Sequence, residues 1–180
     1  MTTVSQHVRP SGIALRTPGK SDGSAVWQLI ADSGSLDENS LYCNLLQCSH
    51  FAQTCVLAEM DGKPVGWLSG YIPPEQPDTY FVWQICVSPQ ARGLGLARHL
   101  ITEALNRSAC RNVNRLECTI TPDNAASWGL FKAMARVLGA PLGSGLHFDC
   151  QHHFDNRHAS EHLVSIGPFD PAERERLRAA

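Results

Sequence analysis

The sequence predicts an α/β fold in which a mixed central β-sheet is flanked by helices, within a single domain of the 180-residue chain. Three features predict it. Two apolar runs, Thr54 to Met60 and Val65 to Ile72, are joined by Asp61-Gly62 and read as a β-hairpin. A third run, Tyr80 to Val87, reads as a buried central strand and leads directly into a glycine-bearing turn. Beyond that turn, Leu96, Ala97, Leu100, Ile101, Ala104 and Leu105 recur at helical spacing, so a strand feeds an amphipathic helix.

The other elements follow in order. Residues 1–11 carry little apolar pattern and are expected to be a flexible tail, with the domain running over 12–168 and a second tail over 169–180. Ile13 to Arg16 alternates as a short strand. Ser21 or Asp22 can cap a helix to Ser33, with Val26, Trp27, Leu29 and Ile30 on its apolar side and Gly34 ending it. Asn39 or Ser40 opens a second helix through His50. Pro73-Pro74-Glu75-Gln76-Pro77 cannot sustain a ladder and forms a stiff loop before the central strand. The amphipathic helix is expected over Leu94 to Ser108, a strand over Arg115 to Thr121, and a helix from Asn124 to Leu138, capped by Asp123 and closed by Gly139. The last third reads as irregular until His162 to Ile166, a final edge strand, and Glu173 to Arg178 reads as a frayed helix.

Composition excludes several classes of function. With 43% hydrophobic and 18% charged residues the chain has the balance of a soluble globular protein. A net charge of −2 provides no electrostatic footprint for nucleic acid or an anionic membrane. No apolar run reaches spanning length, and Met1 to Arg9 has no signal-peptide core, so a cytoplasmic location is expected. The seven cysteines form no Cys-x-x-Cys pair, and Cys43, Cys55, Cys86 and Cys118 sit in apolar runs where a reduced thiol acts as a small hydrophobe, Cys43 being a partial exception.

The turn Val87-Ser88-Pro89-Gln90-Ala91-Arg92-Gly93-Leu94-Gly95-Leu96-Ala97 places unpaired backbone N–H groups and a helix dipole at one point, a natural phosphate site. Gly93 and Gly95 let a pyrophosphate approach the main chain. A P-loop would end in Gly-Lys-Ser/Thr, but Leu96 and Ala97 follow Gly95; a dinucleotide fingerprint would want a small residue where Arg98 stands. The spacing Gln90-x-x-Gly93-x-Gly95-x-Ala97, between its strand and its helix, resembles the acetyl-CoA loop of the GNAT superfamily of N-acetyltransferases. The predicted element order is that of the GNAT fold. The resemblance implies that Gln90, Arg92, Gly93, Leu94, Gly95, Leu96 and Ala97 hold the pyrophosphate, and that the Ile85-Cys86-Val87 backbone meets the thioester carbonyl and pantetheine arm.

Acetyl transfer to an amine requires a held thioester, a polarised carbonyl, a deprotonated amine and a proton for the departing thiolate. Asn124-Ala-Ala-Ser127-Trp-Gly-Leu130-Phe131 resembles the superfamily helix whose Asn contacts CoA and whose Tyr often serves as the general acid. Here Phe131 stands at the Tyr position and has no proton to give, so another donor, water, or direct thiolate loss must serve.

Two further stretches are more specific. Leu36-Asp37-Glu38-Asn39-Ser40-Leu41-Tyr42-Cys43-Asn44-Leu45-Leu46 and Pro73-Pro74-Glu75-Gln76-Pro77-Asp78-Thr79-Tyr80-Phe81-Val82-Trp83-Gln84 resemble signatures of the L-2,4-diaminobutyrate N-acetyltransferases of ectoine biosynthesis. That resemblance runs from Ile13 to Pro168. It implies direct acetyl transfer from acetyl-CoA to the 4-amino group of a small diamino acid, in a homodimer and without a metal. Such a substrate needs carboxylates for its ammonium groups and neutral or cationic donors for its carboxylate. Asp37, with Tyr42 and Cys43, is the first choice for the acceptor wall, although Asp37 can equally cap a helix. Trp83 offers an indole N–H to the substrate carboxylate or simply fills the core, and Asp78 faces either pocket or turn.

Five of the eight histidines fall between His147 and His162. His158-Ala-Ser-Glu161-His162 matches a His-x-x-Glu-His zinc pattern, but Asn156 and Ser160 weaken the helix that pattern needs. By resemblance, His158 and Glu161 close over the diamine instead. Either can be the base that takes the amine proton, and Glu161 can alternatively hold the α-ammonium. The rival readings are a GNAT enzyme for another small amine or a peptide N-terminus, a non-catalytic acyl-CoA sensor favoured by Phe131, and a zinc hydrolase.

Overall fold

A computed structural model of the chain describes residues 12–34, 36, 38–170 and 172–173. The expected N-terminal tail, and all but Glu173 of the expected terminal helix, lie outside the described residues.

The elements are β1 (Ile13–Arg16), α1 (Gly23–Ser33), α2 (Leu41–Gln47), β2 (Val56–Met60), β3 (Lys63–Tyr71), β4 (Thr79–Val87), α3 (Leu96–Leu105), β5 (Arg115–Ile120), α4 (Ala125–Val137), β6 (Leu142–Phe148) and β7 (Glu161–Ile166). The strands form one sheet in the order β1-β2-β3-β4-β5-β7-β6. Only β4 and β5 pair in parallel; every other neighbouring pair is antiparallel. The sheet is therefore mixed, and α3 is the crossover that a parallel pair requires. Alternation along β2 sends Val56 and Ala58 to one side and Leu57 to the other. On the first side they join Leu100 and Ile101 of α3 and Phe131 and Met134 of α4. On the second, Leu57, Trp67 and Cys86 pack against Val26, Leu29 and Ile30 of α1.

Several boundaries differ from the sequence reading, each for a local reason. α1 starts at Gly23, and the Asp22 side chain makes no cap bond to it. That carboxylate instead accepts from Gly19 N–H at 2.7 Å and from the Arg16 guanidinium at 2.7 and 2.8 Å. α2 is capped by Ser40, which accepts from Cys43 N–H at 3.1 Å, and stops at Gln47 rather than His50. α3 starts at Leu96 rather than Leu94 because Gly95, at φ 70°, is its left-handed N-cap, and it ends at Leu105. α4 is capped by Asn124, not Asp123, whose carboxylate accepts the Thr121 hydroxyl at 2.7 Å.

The larger correction concerns the last third. Residues 142–148 form a strand, β6, and β7 is not an edge strand but lies between β5 and β6. The segment Leu-Gly-Ser-Gly-Leu-His-Phe has two glycines and is exposed over all but its first residue, so neither β-propensity nor alternation marked it. Glu161 and His162 are successive residues of β7 and point to opposite faces, so the helical spacing needed by the zinc pattern does not form.

One irregularity shapes the site. Between β3 and β4, Ser69 pairs with Gln84 and Gly70 with Val82, leaving Trp83 as the extra residue of a β-bulge. Gly70 permits the crowding beside it. A Cβ there would overlap the Tyr80 phenol oxygen and come within 2.7 Å of the Phe81 carbonyl. Tyr80 cannot yield, since it is fully buried and its hydroxyl donates to the Thr54 carbonyl at 2.6 Å. Gly70→Ala is therefore expected to destabilise the fold by about 2–3 kcal/mol, read as a lowered denaturation midpoint with an unchanged slope. A midpoint equal to that of the wild type would contradict this packing.

Candidate active site

The β4–β5 ladder runs from Thr79↔Arg115 to Val82↔Cys118 and stops. Both strands continue, β4 to Val87 beside β3 and β5 to Ile120 beside β7, without pairing to each other, so the sheet opens into a wedge where the bulge re-aims Trp83. Two cavities fill that wedge. One, of about 710 Å³, lies between Ile85, Cys86 and Val87 of β4, Arg92 and Ala97 of the turn, and Asn124 and Ser127 of α4. The other, of about 560 Å³, is walled by Asn39, Trp83, Gln84, Phe131, His158 and Glu161. Leu36, Ile85, Thr121, Asn124 and Ser127 line both, which makes them two arms of one cleft.

The first arm ends at the glycine turn. Gly93 and Gly95 have φ of 78° and 70°, a conformation that favours glycine. Among the described residues, no backbone carbonyl receives the N–H groups of Gly93 through Arg98; the first bonded amide is His99, at 3.2 Å from the Gly95 carbonyl. His99 Nδ1 also lies 2.9 Å from that carbonyl and closes the helix start from the side. Several such donors at a helix N-terminus favour an anion. Asn124 Oδ1 accepts from Ser127 N–H at 3.0 Å, and Trp128 Nε1 donates to the Thr121 carbonyl at 3.1 Å, so the start of α4 is fixed to the end of β5.

The second arm is polar. Asn39 Nδ2 donates to Gln84 Oε1 at 2.8 Å, tying the segment between α1 and α2 to the central strand. His158 Nδ1 lies 2.7 Å from the Ala159 carbonyl, which can only accept. Nδ1 therefore carries a proton, and in the neutral ring Nε2 carries a lone pair. Glu161 Oε1 stands 3.9 Å from that Nε2, close enough to stabilise an imidazolium once formed. Burial, together with Glu161 and Glu117, pushes the Cys118 thiol of this arm well above the ordinary thiol range, so it stays protonated.

Comparison with known proteins fits this geometry. Residues 25–135 match the model of the acetyltransferase (GNAT) family. The chain is 46% identical to the L-2,4-diaminobutyric acid acetyltransferase of Methylotuvimicrobium alcaliphilum over 87% of this chain and 91% of that protein. It is 47% identical to the protein of that name from Nocardia farcinica, covering 86% and 80%. Its fold superposes with a TM-score of 0.84 and 38% identity on diaminobutyrate acetyltransferase EctA from Paenibacillus lautus, solved with L-2,4-diaminobutyric acid and coenzyme A, over 88% of this chain and 96% of that one. The chain belongs to the L-2,4-diaminobutyric acid acetyltransferases of the GNAT family.

Within this GNAT fold the expected acetyl-CoA residues converge only in part. Ile85, Cys86, Val87, Arg92, Ala97 and Asn124 line the first arm, and Phe131 lines the second. Gly93, Leu94, Gly95 and Gln90 are exposed on the turn, while the Leu96 side chain is buried in the core, leaving only its backbone for a ligand. Trp83 is 44% exposed, which removes the core-filling alternative. Of the expected substrate residues, His158, Glu161 and Trp83 meet in the second arm. Asp37 lies outside the described residues. Tyr42 is 69% exposed on α2, and neither it nor its neighbour Cys43 lines either arm. Asp78 precedes β4, at the end away from the wedge, and its carbonyl accepts the N–H groups of Asn114 and Arg115. It belongs to a turn and not to the cleft.

Asn39, Gln84, Thr121 and Ser127 line the cleft but were not singled out in the sequence. Asn39, Gln84 and Ser127 all lie inside stretches that carried the family resemblance, and that was the only available signal. For this GNAT turn, Gly95→Arg combines a blocked phosphate cradle with an unfavourable left-handed backbone. It is expected to weaken acetyl-CoA binding by well over about tenfold in calorimetry, with some loss of stability. A folded variant with wild-type affinity would remove the turn from the binding site.

Proposed function

We propose that the chain transfers the acetyl group of acetyl-CoA directly to the 4-amino group of L-2,4-diaminobutyrate. The observation that carries this is the continuous cleft, with an anion-binding turn at one end and a compact Trp83, His158 and Glu161 wall at the other. A small dipolar substrate suits the second arm, and an extended acyl-CoA suits the first. The Ile85 to Val87 backbone, having lost β5 as its ladder partner, is suited to hold the pantetheine arm and polarise the thioester carbonyl.

His158 Nε2 takes the first proton from the attacking ammonium, and the Glu161 carboxylate stabilises the resulting imidazolium. The Trp83 indole N–H holds the substrate carboxylate and its ring shields the site. Asp37 supplies a carboxylate for the α-ammonium, a role that rests on the family resemblance. We read the product as the acetylated precursor of ectoine and the enzyme as a cytoplasmic homodimer. Exposed Leu146 and Phe148 on the edge strand β6 support an association of copies. Among the described residues, no helix is long and apolar enough to cross a membrane.

A thiol-release assay with acetyl-CoA against L-2,4-diaminobutyrate, ornithine, lysine and a short peptide tests the substrate. Turnover is expected on diaminobutyrate, with the 4-amino group acetylated. Turnover on the peptide alone would overturn the pocket. His158→Ala is expected to lower kcat about 100-fold, and Glu161→Gln, which leaves the imidazolium without its carboxylate, to lower kcat about tenfold, with acetyl-CoA affinity retained in both. Two variants with wild-type kinetics would dismiss both roles.

A further inference from the structure

Acetyl transfer leaves a thiolate, and a hydrogen-bond donor in the cleft would stabilise that sulfur as it departs. The thioester has to lie where the two arms join, since its CoA side occupies one and the amine the other. Phe131 reaches the second arm with a hydrocarbon ring. The three tyrosines are all elsewhere: Tyr42 is exposed on α2, Tyr71 packs against Phe81 and Trp83, and Tyr80 is buried with its hydroxyl on the Thr54 carbonyl.

The remaining hydroxyls and thiols of the cleft can be taken in turn. Ser33 donates to the Ile30 carbonyl at 2.7 Å, and Thr121 donates to Asp123 at 2.7 Å. Cys86 lines only the first arm, with its thiol on the Leu29 carbonyl, while Cys118 and Thr119 line only the second. Ser127 alone among these lines both arms without another acceptor claiming its hydroxyl, among the described residues. It sits in the first turn of the 13-residue helix α4, with its own N–H held by Asn124 Oδ1 at 3.0 Å. The positive end of α4 favours negative charge at that point.

We infer that the Ser127 hydroxyl serves the departing CoA sulfur, donating a hydrogen bond as the carbon–sulfur bond breaks and relaying the proton that completes the thiol. The inference rests on the acetyl-transfer reading above. The amine nitrogen bonds to the carbonyl carbon after giving one proton to His158. The carbon–sulfur bond then breaks with its electron pair on sulfur. Ser127 Oγ passes its proton to sulfur and takes the second proton shed by the nitrogen, so the hydroxyl is regenerated. The products are the amide, the neutral thiol and one proton released through the base. A serine hydroxyl is too weak an acid to ionise outright, which is why the two transfers are coupled.

Ser127→Ala removes a single oxygen and improves helix propensity, so folding is not at issue. Two measurements on Ser127→Ala and Ser127→Thr test the role. The first is steady-state thiol release with acetyl-CoA and L-2,4-diaminobutyrate. Ser127→Ala is expected to lose about 100-fold in kcat with both KM values within about twofold, and Ser127→Thr to retain most of the rate. The second is a titration of the thiol of enzyme-bound CoA by its thiolate absorbance. A hydroxyl that hydrogen-bonds the thiolate lowers that titration midpoint, so the midpoint should rise by about one pH unit in Ser127→Ala and stay in place in Ser127→Thr. Wild-type kcat in Ser127→Ala, or an unmoved midpoint, would overturn the role. If the wild-type enzyme binds CoA but releases no thiol with diaminobutyrate, the substrate reading fails, and the titration still decides Ser127.

Discussion

The parallel ladder between β4 and β5 holds for four residue pairs and then ends. Two features force that ending. The bulge at Trp83 gives β4 an extra residue against β3 and bends it away from β5. At the far side, β5 is turned out of the sheet by Thr121 and Pro122, with Asn124 immediately capping α4. A regular sheet would bury its backbone groups in the ladder. The wedge instead leaves the facing edges of the two strands without a ladder partner beyond Val82 and Cys118.

Each arm of the cleft depends on this opening. The first arm reaches the solvent-exposed turn, where two left-handed glycines leave a run of amides without carbonyl partners. The second arm reaches β7, which carries Glu161 and is placed beside β5 by five paired residues. Because β7 pairs with β5 along its length, the wall that carries Glu161 is held to the sheet even though His158 lies on a loop. Asn39 and Gln84 tie the opposite wall to β4. The walls of the second arm are thus tied to strands on two sides, the kind of rigidity that near-attack geometry rewards.

Legibility in the sequence tracked how local each signal is. The turn at Gly93 and Gly95, the stripe from Leu96 to Leu105 and the hairpin at Asp61-Gly62 are encoded by contiguous residues, and the structure reproduces them. Boundaries slipped where a single side chain chose between two nearby partners, as at Asp22 and Asp123. β6 escaped because glycine, serine and exposed positions leave neither propensity nor period to read. The cleft itself was legible only in pieces. Asn39 and Gln84 are 45 residues apart, and nothing in either local pattern says that they meet. Tyr42, Cys43 and Asp78 shared the resemblance of their neighbours, yet they line neither arm of the cleft. Ser127 reads from sequence as an ordinary helix residue, and its interest arises only when both arms are seen to share it.

Hydrogen–deuterium exchange of the full chain with and without CoA tests the central claim most directly. If the wedge and the glycine turn form one binding surface, CoA should slow exchange at the amides of Ile85 to Val87 and of Gly93 to Ala97 together, while β1 and β2 change little. Protection confined to other elements, or at the turn with none on β4, would contradict the account.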